Sequence, residues 1–141
     1  PERVDMHAVL SQAHFNNWAL LENPHALSEH QIKSLLLNTR KGAHYETNLR
    51  ALEGIYIWKL GQATAAANVW SNVATTDALA RLCLYWTDHQ SKPSDSELVN
   101  YRNHPSYALL VTAANLPADS AEYGQVKQFM NTVLRPAERV H

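Results

Sequence analysis

Residues 47–80 read TNLRALEGIYIWKLGQATAAANVWSNVATTDALA, and this stretch decides the fold. Leu49, Leu52, Tyr56 and Leu60 recur at helical spacing and form one apolar stripe; Ala51, Ile55 and Trp58 form a second. A helix that is apolar on two sides is held between neighbours. The spacing predicts a helix over residues 44–60, closed by Gly61, which can take the left-handed conformation that ends a helix. A second helix follows over residues 62–74, with Ala63, Ala66, Trp70 and Val73 on one face. The small side chains at Gly54 and Ala66 let the two backbones approach closely. Trp70 is placed to fill the space towards the helix after them.

Helix signals continue on both sides. Upstream, Val9, Leu10, Ala13, Phe15, Trp18 and Leu21 give a helix over residues 4–21, stopped by Pro24. Ser28 and Gln31 make a capping box, with Leu27 and Ile32 as its hydrophobic staple. That helix runs to about Arg40, where Arg40 and Lys41 suit the negative helix end and Gly42 offers a stop. Downstream, Thr76 or Asp77 caps a helix reaching His89, with Leu79, Leu82, Cys83 and Trp86 inward. Ser94 and Glu97 start a short helix to Asn103, Pro105 opens another to Asn115, and Ser120 caps the last. Tyr123, Val126, Phe129, Met130 and Val133 form the buried side of that last helix, and Pro136 stops it. Strand alternation and Asn-Gly or Asp-Gly hairpin turns are missing. The expectation is an all-α chain of seven to eight helices. Antiparallel pairs would stack as an α-α superhelix in a single domain over residues 1–141, with a sub-boundary possible at residues 90–95 (QSKPSD).

Composition narrows the function classes. The chain has 141 residues, 45% of them hydrophobic and 18% charged, which describes a packed domain and not a disordered one. A net charge of −1 gives no field to draw in nucleic acid, and no run of apolar residues is long enough to span a bilayer. The expected setting is soluble. It is either cytoplasmic, or extracytoplasmic if this is a piece of a longer chain, and a bacterial source is favoured. Full protonation of the eight histidines would take the formal charge from −1 to +7, so binding or solubility would respond to pH.

The order of Gly54, Gly61, Ala66 and Trp70 over these 34 residues resembles a tetratricopeptide repeat. The match departs where the family's first-helix aromatic falls on Arg50, its leucine on Glu53, its second-position tyrosine on Ile57 and its closing proline on Ala78. A generic antiparallel helix pair is the alternative. The resemblance implies a concave surface that grips a peptide or a partner's helix. The family's groove positions fall on Asn48, Ala51, Ile55, Trp58 and Lys59. Asn48 would hold a peptide backbone, Trp58 would form an aromatic wall and Lys59 would meet a carboxylate. The alternative for Ile55 and Trp58 is the core.

Chemistry-bearing clusters are sparse. One cysteine, Cys83, sits among Leu82, Leu84 and Tyr85 and reads as a buried thiol. Glu-x-x-His, the helical metal spacing, occurs at Glu22/His25 and Glu138/His141, the first interrupted by Pro24 and the second at the chain end. His7 and His14 share a face without a carboxylate. No phosphate loop or nucleophile elbow occurs. Arg40, Lys41, Arg50 and Lys59 form the densest basic cluster and read as solvated helix ends. The expected function is therefore a non-catalytic scaffold, adaptor or chaperone-like module with a protein or peptide partner, without metal or cofactor. The alternatives are a small helical enzyme or accessory domain, with a pocket lined by at least two of His44, Glu46, Glu53 and Tyr56, and a glycan- or lipid-binding helical domain.

Overall fold

A computed structural model describes residues 27–43 and 49–138. Among them lie seven α-helices: α1 (Glu29–Ala43), α2 (Leu49–Lys59), α3 (Ala63–Val73), α4 (Ala78–Trp86), α5 (Asp95–Leu98), α6 (Tyr107–Asn115) and α7 (Ala121–Val133). A 3-10 turn over Val99–Tyr101 extends α5. The chain is all-α over these residues, and extended pairing is confined to one isolated parallel bridge between Ser28 and Glu138. The helix expected over residues 4–21 lies outside the described residues.

α2 and α3 pack against each other along their length, joined by Leu60, Gly61 and Gln62. Gly61 has φ of +82°, a conformation that carries little penalty only without a side chain. Its N–H donates to the Trp58 carbonyl at 2.9 Å, and the Gln62 N–H donates to the Ile57 carbonyl at 3.2 Å. Those two bonds make the paired closure that ends a helix on a left-handed residue. Inside the hairpin, the Trp70 indole lies directly on Gly54. A Cβ at that position would overlap the ring. The indole N–H donates to the Ala51 carbonyl at 3.0 Å, so the buried ring has no orphaned donor.

α2 is the hub. It packs against α1 on one side and α3 on the other, and it also touches α4. Nine of its eleven residues are buried, as its two apolar stripes require. The remaining helices follow in order, α3 on α4, α4 on α6 and α6 on α7. Trp70, Tyr56, Tyr101, Leu82 and Leu110 are among the largest side chains fully enclosed in this core.

The capping signals place most starts. Ser28 and Gln31 form both halves of their box, at 2.9 and 3.2 Å. Asp77 accepts from the N–H groups of Leu79 and Ala80, and the Ser94 and Ser120 hydroxyls accept from Glu97 and Tyr123. Several boundaries differ from expectation: α4 ends at Trp86 and not at His89, because Asp88 turns left-handed, and the helix opened by Ser94 ends with its 3-10 turn at Tyr101 and not at Asn103. α1 continues through Gly42 to Ala43 instead of stopping at Arg40. α6 starts at Tyr107, two residues after Pro105, because the Ser106 N–H donates to the His104 imidazole and holds a turn there.

Residues 90–95 are anchored to the core. The Arg81 guanidinium donates to the Ser91 carbonyl at 2.7 Å and to Glu97 at 2.6 Å, and Pro93 is buried. The Tyr101 hydroxyl crosses to the Ala74 carbonyl and so ties the α5 turn to the end of α3.

Candidate functional site

Past α7 the chain runs back across the ends of α2 and α1. Leu134 closes α7 in a turn, residues 135–137 leave the helix, and the Glu138 N–H donates to the Leu27 carbonyl at 2.7 Å. The Glu29 N–H donates to the Glu138 carbonyl at 3.0 Å, completing a short parallel ladder. One step earlier, the Ala137 N–H donates to the Lys59 carbonyl at 2.9 Å.

Trp58 and Lys59 hold the other end of this segment. The Trp58 indole N–H donates to the Leu134 carbonyl at 2.9 Å. The Lys59 ammonium donates to the carbonyls of Val133 at 3.0 Å and Arg135 at 2.6 Å. The Val133 carbonyl is at the negative end of α7, where a cation is favoured. Lys59 is only 4% exposed. Its burial, together with the nearby Arg135 charge, pulls its pKa down to about 8.

The five positions expected to line an open groove are therefore divided. Ala51 at 1% and Ile55 at 0% exposure are core, and the Ala51 carbonyl already accepts from Trp70. Trp58 and Lys59 do meet a peptide, but it is this chain's own C-terminal segment, bound through its backbone carbonyls. Asn48 lies outside the described residues. Of the four described positions, Ala51 and Ile55 face the core, Lys59 faces the carbonyls that end α7, and Trp58 alone borders an open cleft.

A cleft of about 480 Å³ opens beside the segment, where the ends of α2, α4 and α7 approach one another. Trp58 and Trp86 form its aromatic walls, and Asp88, Asn131 and Arg135 form its polar rim. Each indole packs near another ring, and Trp58 also meets the His89 imidazole edge-on at 6.5 Å. Trp58 lies 6.2 Å from Trp70 and Trp86 lies 6.1 Å from Tyr123. The rim residue Asp88 has φ of +61° and closes α4 as Gly61 closes α2, with His89 N–H on the Leu84 carbonyl.

Of the residues considered for catalysis, Glu53 is already paired. Glu53 is buried and receives Arg40 at 3.2 Å and Arg50 at 3.0 Å, which also accounts for two members of the basic cluster. Tyr56 is fully buried, its hydroxyl has no hydrogen-bond partner among the described residues, and desolvation pushes its pKa far up. His44 and Glu46 are outside the described residues. Cys83 is fully buried, and that burial, reinforced by Asp77, holds the thiol protonated. Among the described residues no three His, Cys, Asp or Glu side chains gather as metal ligands, and no helix is long and apolar enough to cross a membrane.

A second polar cluster was not foreseen from the sequence. Arg81, 5% exposed, pairs with Glu97 in two contacts, and the Tyr101 hydroxyl adds a third at 3.2 Å. The Arg81 hydrogen bond and charge hold the Glu97 carboxyl below its usual range. Nearby, His104 places Nε2 3.5 Å from Asp77, and its Nδ1 accepts from Ser106, so the proton sits on Nε2. Burial raises the Asp77 carboxyl, which the neighbouring His104 and two backbone donors partly offset. These contacts join helix ends within the fold. The partners Arg81–Glu97 and Asp77–His104 are 16 and 27 residues apart, beyond any helical spacing, so no pattern in the sequence marks those two contacts.

No family model matches this chain, and no curated protein or solved structure matches it.

Proposed function

We propose that this chain is a non-catalytic interaction module, a scaffold or adaptor built from tetratricopeptide-like helix pairs, that binds a protein or peptide partner at the end of α2. One observation carries the reading. Trp58 and Lys59, two of the positions such a module would use, grip main-chain carbonyls where the chain leaves α7. The tight α2–α3 hairpin, with Trp70 on Gly54 and the Gly61 reversal, supports the family resemblance. The cleft beside the segment, walled by Trp58 and Trp86, supplies aromatic area of the kind that anchors interfaces. Glu53, the buried carboxylate considered for acid–base work, is already paired with Arg40 and Arg50, which supports a structural role for it.

Photo-crosslinking in the native host tests this. A photo-reactive residue replaces Trp86 or Asn131 in the cleft, and a control replaces the exposed Val99. The expected result is a discrete protein adduct from the cleft positions that is missing from the control. The adduct should also disappear in a Trp58→Ala/Lys59→Ala chain shown by circular dichroism to remain helical. Identical adducts from all three positions, or none from the cleft, would overturn the reading.

A further inference from the structure

Resting on the interaction reading, we propose that the cleft between Trp58 and Trp86 seats an arginine side chain of the partner, its guanidinium stacked on an indole and paired with Asp88.

The charges around the cleft argue for a cation. Three helices bring their C-terminal ends to it: α2 ends at Lys59, α4 at Trp86 and α7 at Val133. Each such end carries a partial negative charge that a nearby cation offsets. Two of the three are served. The Lys59 ammonium lies in the last turn of α2 and donates to the Val133 carbonyl at the end of α7. α4 has no basic residue in its last turn. It closes instead on Asp88, a carboxylate at the end where negative charge is disfavoured, held in the left-handed conformation. Asp88 is exposed and makes no ion pair among the described residues. The cleft therefore has one side where positive charge is supplied and one where it is missing. Arg135 belongs to the supplied side: its carbonyl accepts from Lys59, its charge acts on that ammonium, and its side chain is itself engaged. Its charge confines an incoming cation to the side of Trp86 and Asp88.

The walls argue for a guanidinium. Both indoles are held from behind, Trp58 by Trp70 at 6.2 Å and Trp86 by Tyr123 at 6.1 Å. The Trp58 ring is fixed further by its bond to the Leu134 carbonyl. Walls set in advance lower the cost of binding. An ammonium is compact and strongly hydrated, and in an open cleft it keeps its water. A guanidinium is planar and more weakly hydrated, so it stacks on an indole while its edge presents two N–H groups to one carboxylate. Asn131, exposed on α7 at the rim, offers an amide oxygen to a further N–H. The cleft, at about 480 Å³, also has room for the aliphatic stem that carries the guanidinium.

The test uses the full chain, isotope-labelled, and N-acetyl-arginine amide as the probe. The indole N–H resonances of Trp58, Trp70 and Trp86 are followed by NMR at constant ionic strength. The Trp86 signal should shift and saturate with a Kd on the order of millimolar, as expected for a single side chain. Trp70 is fully enclosed, and its signal should stay in place. The neutral isostere N-acetyl-citrulline amide should give no saturable shift, and the lysine analogue should bind about three-fold or more weaker. Asp88→Asn keeps the left-handed turn and removes the charge, so arginine should bind it about three-fold or more weaker. Equal shifts with the citrulline probe, a lysine analogue that binds as tightly, an unchanged affinity in Asp88→Asn or a shift that never saturates would each overturn the proposal. Arginine binding without a crosslinked cellular partner leaves the chemistry of the cleft standing and removes the interaction reading. A cleft adduct whose attached peptide holds no arginine does the reverse.

Discussion

α2 meets α3 and the C-terminal segment by opposite means. Against α3 it uses side-chain shape: Trp70 fills the space that Gly54 leaves open, and the indole N–H finds the Ala51 carbonyl. Against the segment it uses polar atoms: an indole N–H, an ammonium and a carbonyl meet the backbone of residues 74 to 78 positions later. Interdigitated packing is cooperative with the whole core, whereas a short terminal strap held mainly by a few hydrogen bonds opens on its own. One face of the helix should therefore report global stability and its end should report local opening.

The largest expected effect is on the packed face. Trp70→Ala removes a fully enclosed indole and should lower stability by about 3–5 kcal/mol, read from urea unfolding. Gly54→Ala forces a methyl into the ring and should lower it by about 1–3 kcal/mol. The double substitution sharpens the point. Because the alanine methyl then occupies space the indole has left, the combined loss should fall short of the sum of the two, as contacting sites require. Additive losses would mean that Gly54 matters for backbone reasons and not for the ring.

Lys59→Met addresses the other end. It removes two hydrogen bonds to the segment but also a buried cation, so global stability should move by less than about 1 kcal/mol. Exchange at Ala137 and Glu138 should nevertheless rise about ten-fold, equivalent to about 1.4 kcal/mol of local opening. A global loss comparable to that of Trp70→Ala would break the comparison and make the strap part of the core. The same lysine gives a pH signature. Its pKa is lowered to about 8 in the fold from 10.5, so between these values the unfolded chain binds the proton that the folded chain has released. Stability should therefore rise as pH is raised through that window, by an amount missing from Lys59→Met. Paired urea midpoints at pH 7.5 and pH 10 measure it.

The packed face was legible in the sequence and the strap was not. The two stripes of α2, the small residues at Gly54 and Ala66 and the turn at Gly61 all lie within one local period, and each has one dominant physical use. The caps at Ser28, Asp77, Ser94 and Ser120 are likewise local, as is the burial of Cys83. Lys59 reads as a groove residue because the family's groove positions fall on it, and a lysine at a helix end is ordinarily solvated. Nothing near it in sequence announces that Val133 and Arg135 will supply its partners. The Arg81–Glu97 pair and the Asp77–His104 approach fail to show for the same reason: they join elements whose separation follows from the fold. Ala51 and Ile55 carried a conflict that the sequence already contained, since a position on the second apolar stripe of a sandwiched helix is core before it is groove.

The two helix ends that flank the cleft offer the smallest and most discriminating change. α2 closes on Gly61 at φ of +82°, and α4 closes on Asp88 at φ of +61° with the same pair of backbone bonds. For an aspartate this conformation is tolerated but strained, and glycine would relieve the strain. Asp88→Gly should therefore raise stability by about 0.5–1 kcal/mol less the entropy glycine adds to the unfolded chain, a small net gain in the urea midpoint. Asp88→Asn keeps the left-handed tolerance and removes only the charge, so it should leave the midpoint nearly unchanged. If the aspartate were held there for stability, both variants would lose. If it is held for the cleft it borders, glycine gains stability while the adduct expected at Trp86 weakens in both variants, because each has lost the carboxylate from the rim. The closure of α4 would then be a place where the chain accepts strain to present a charge beside two indoles.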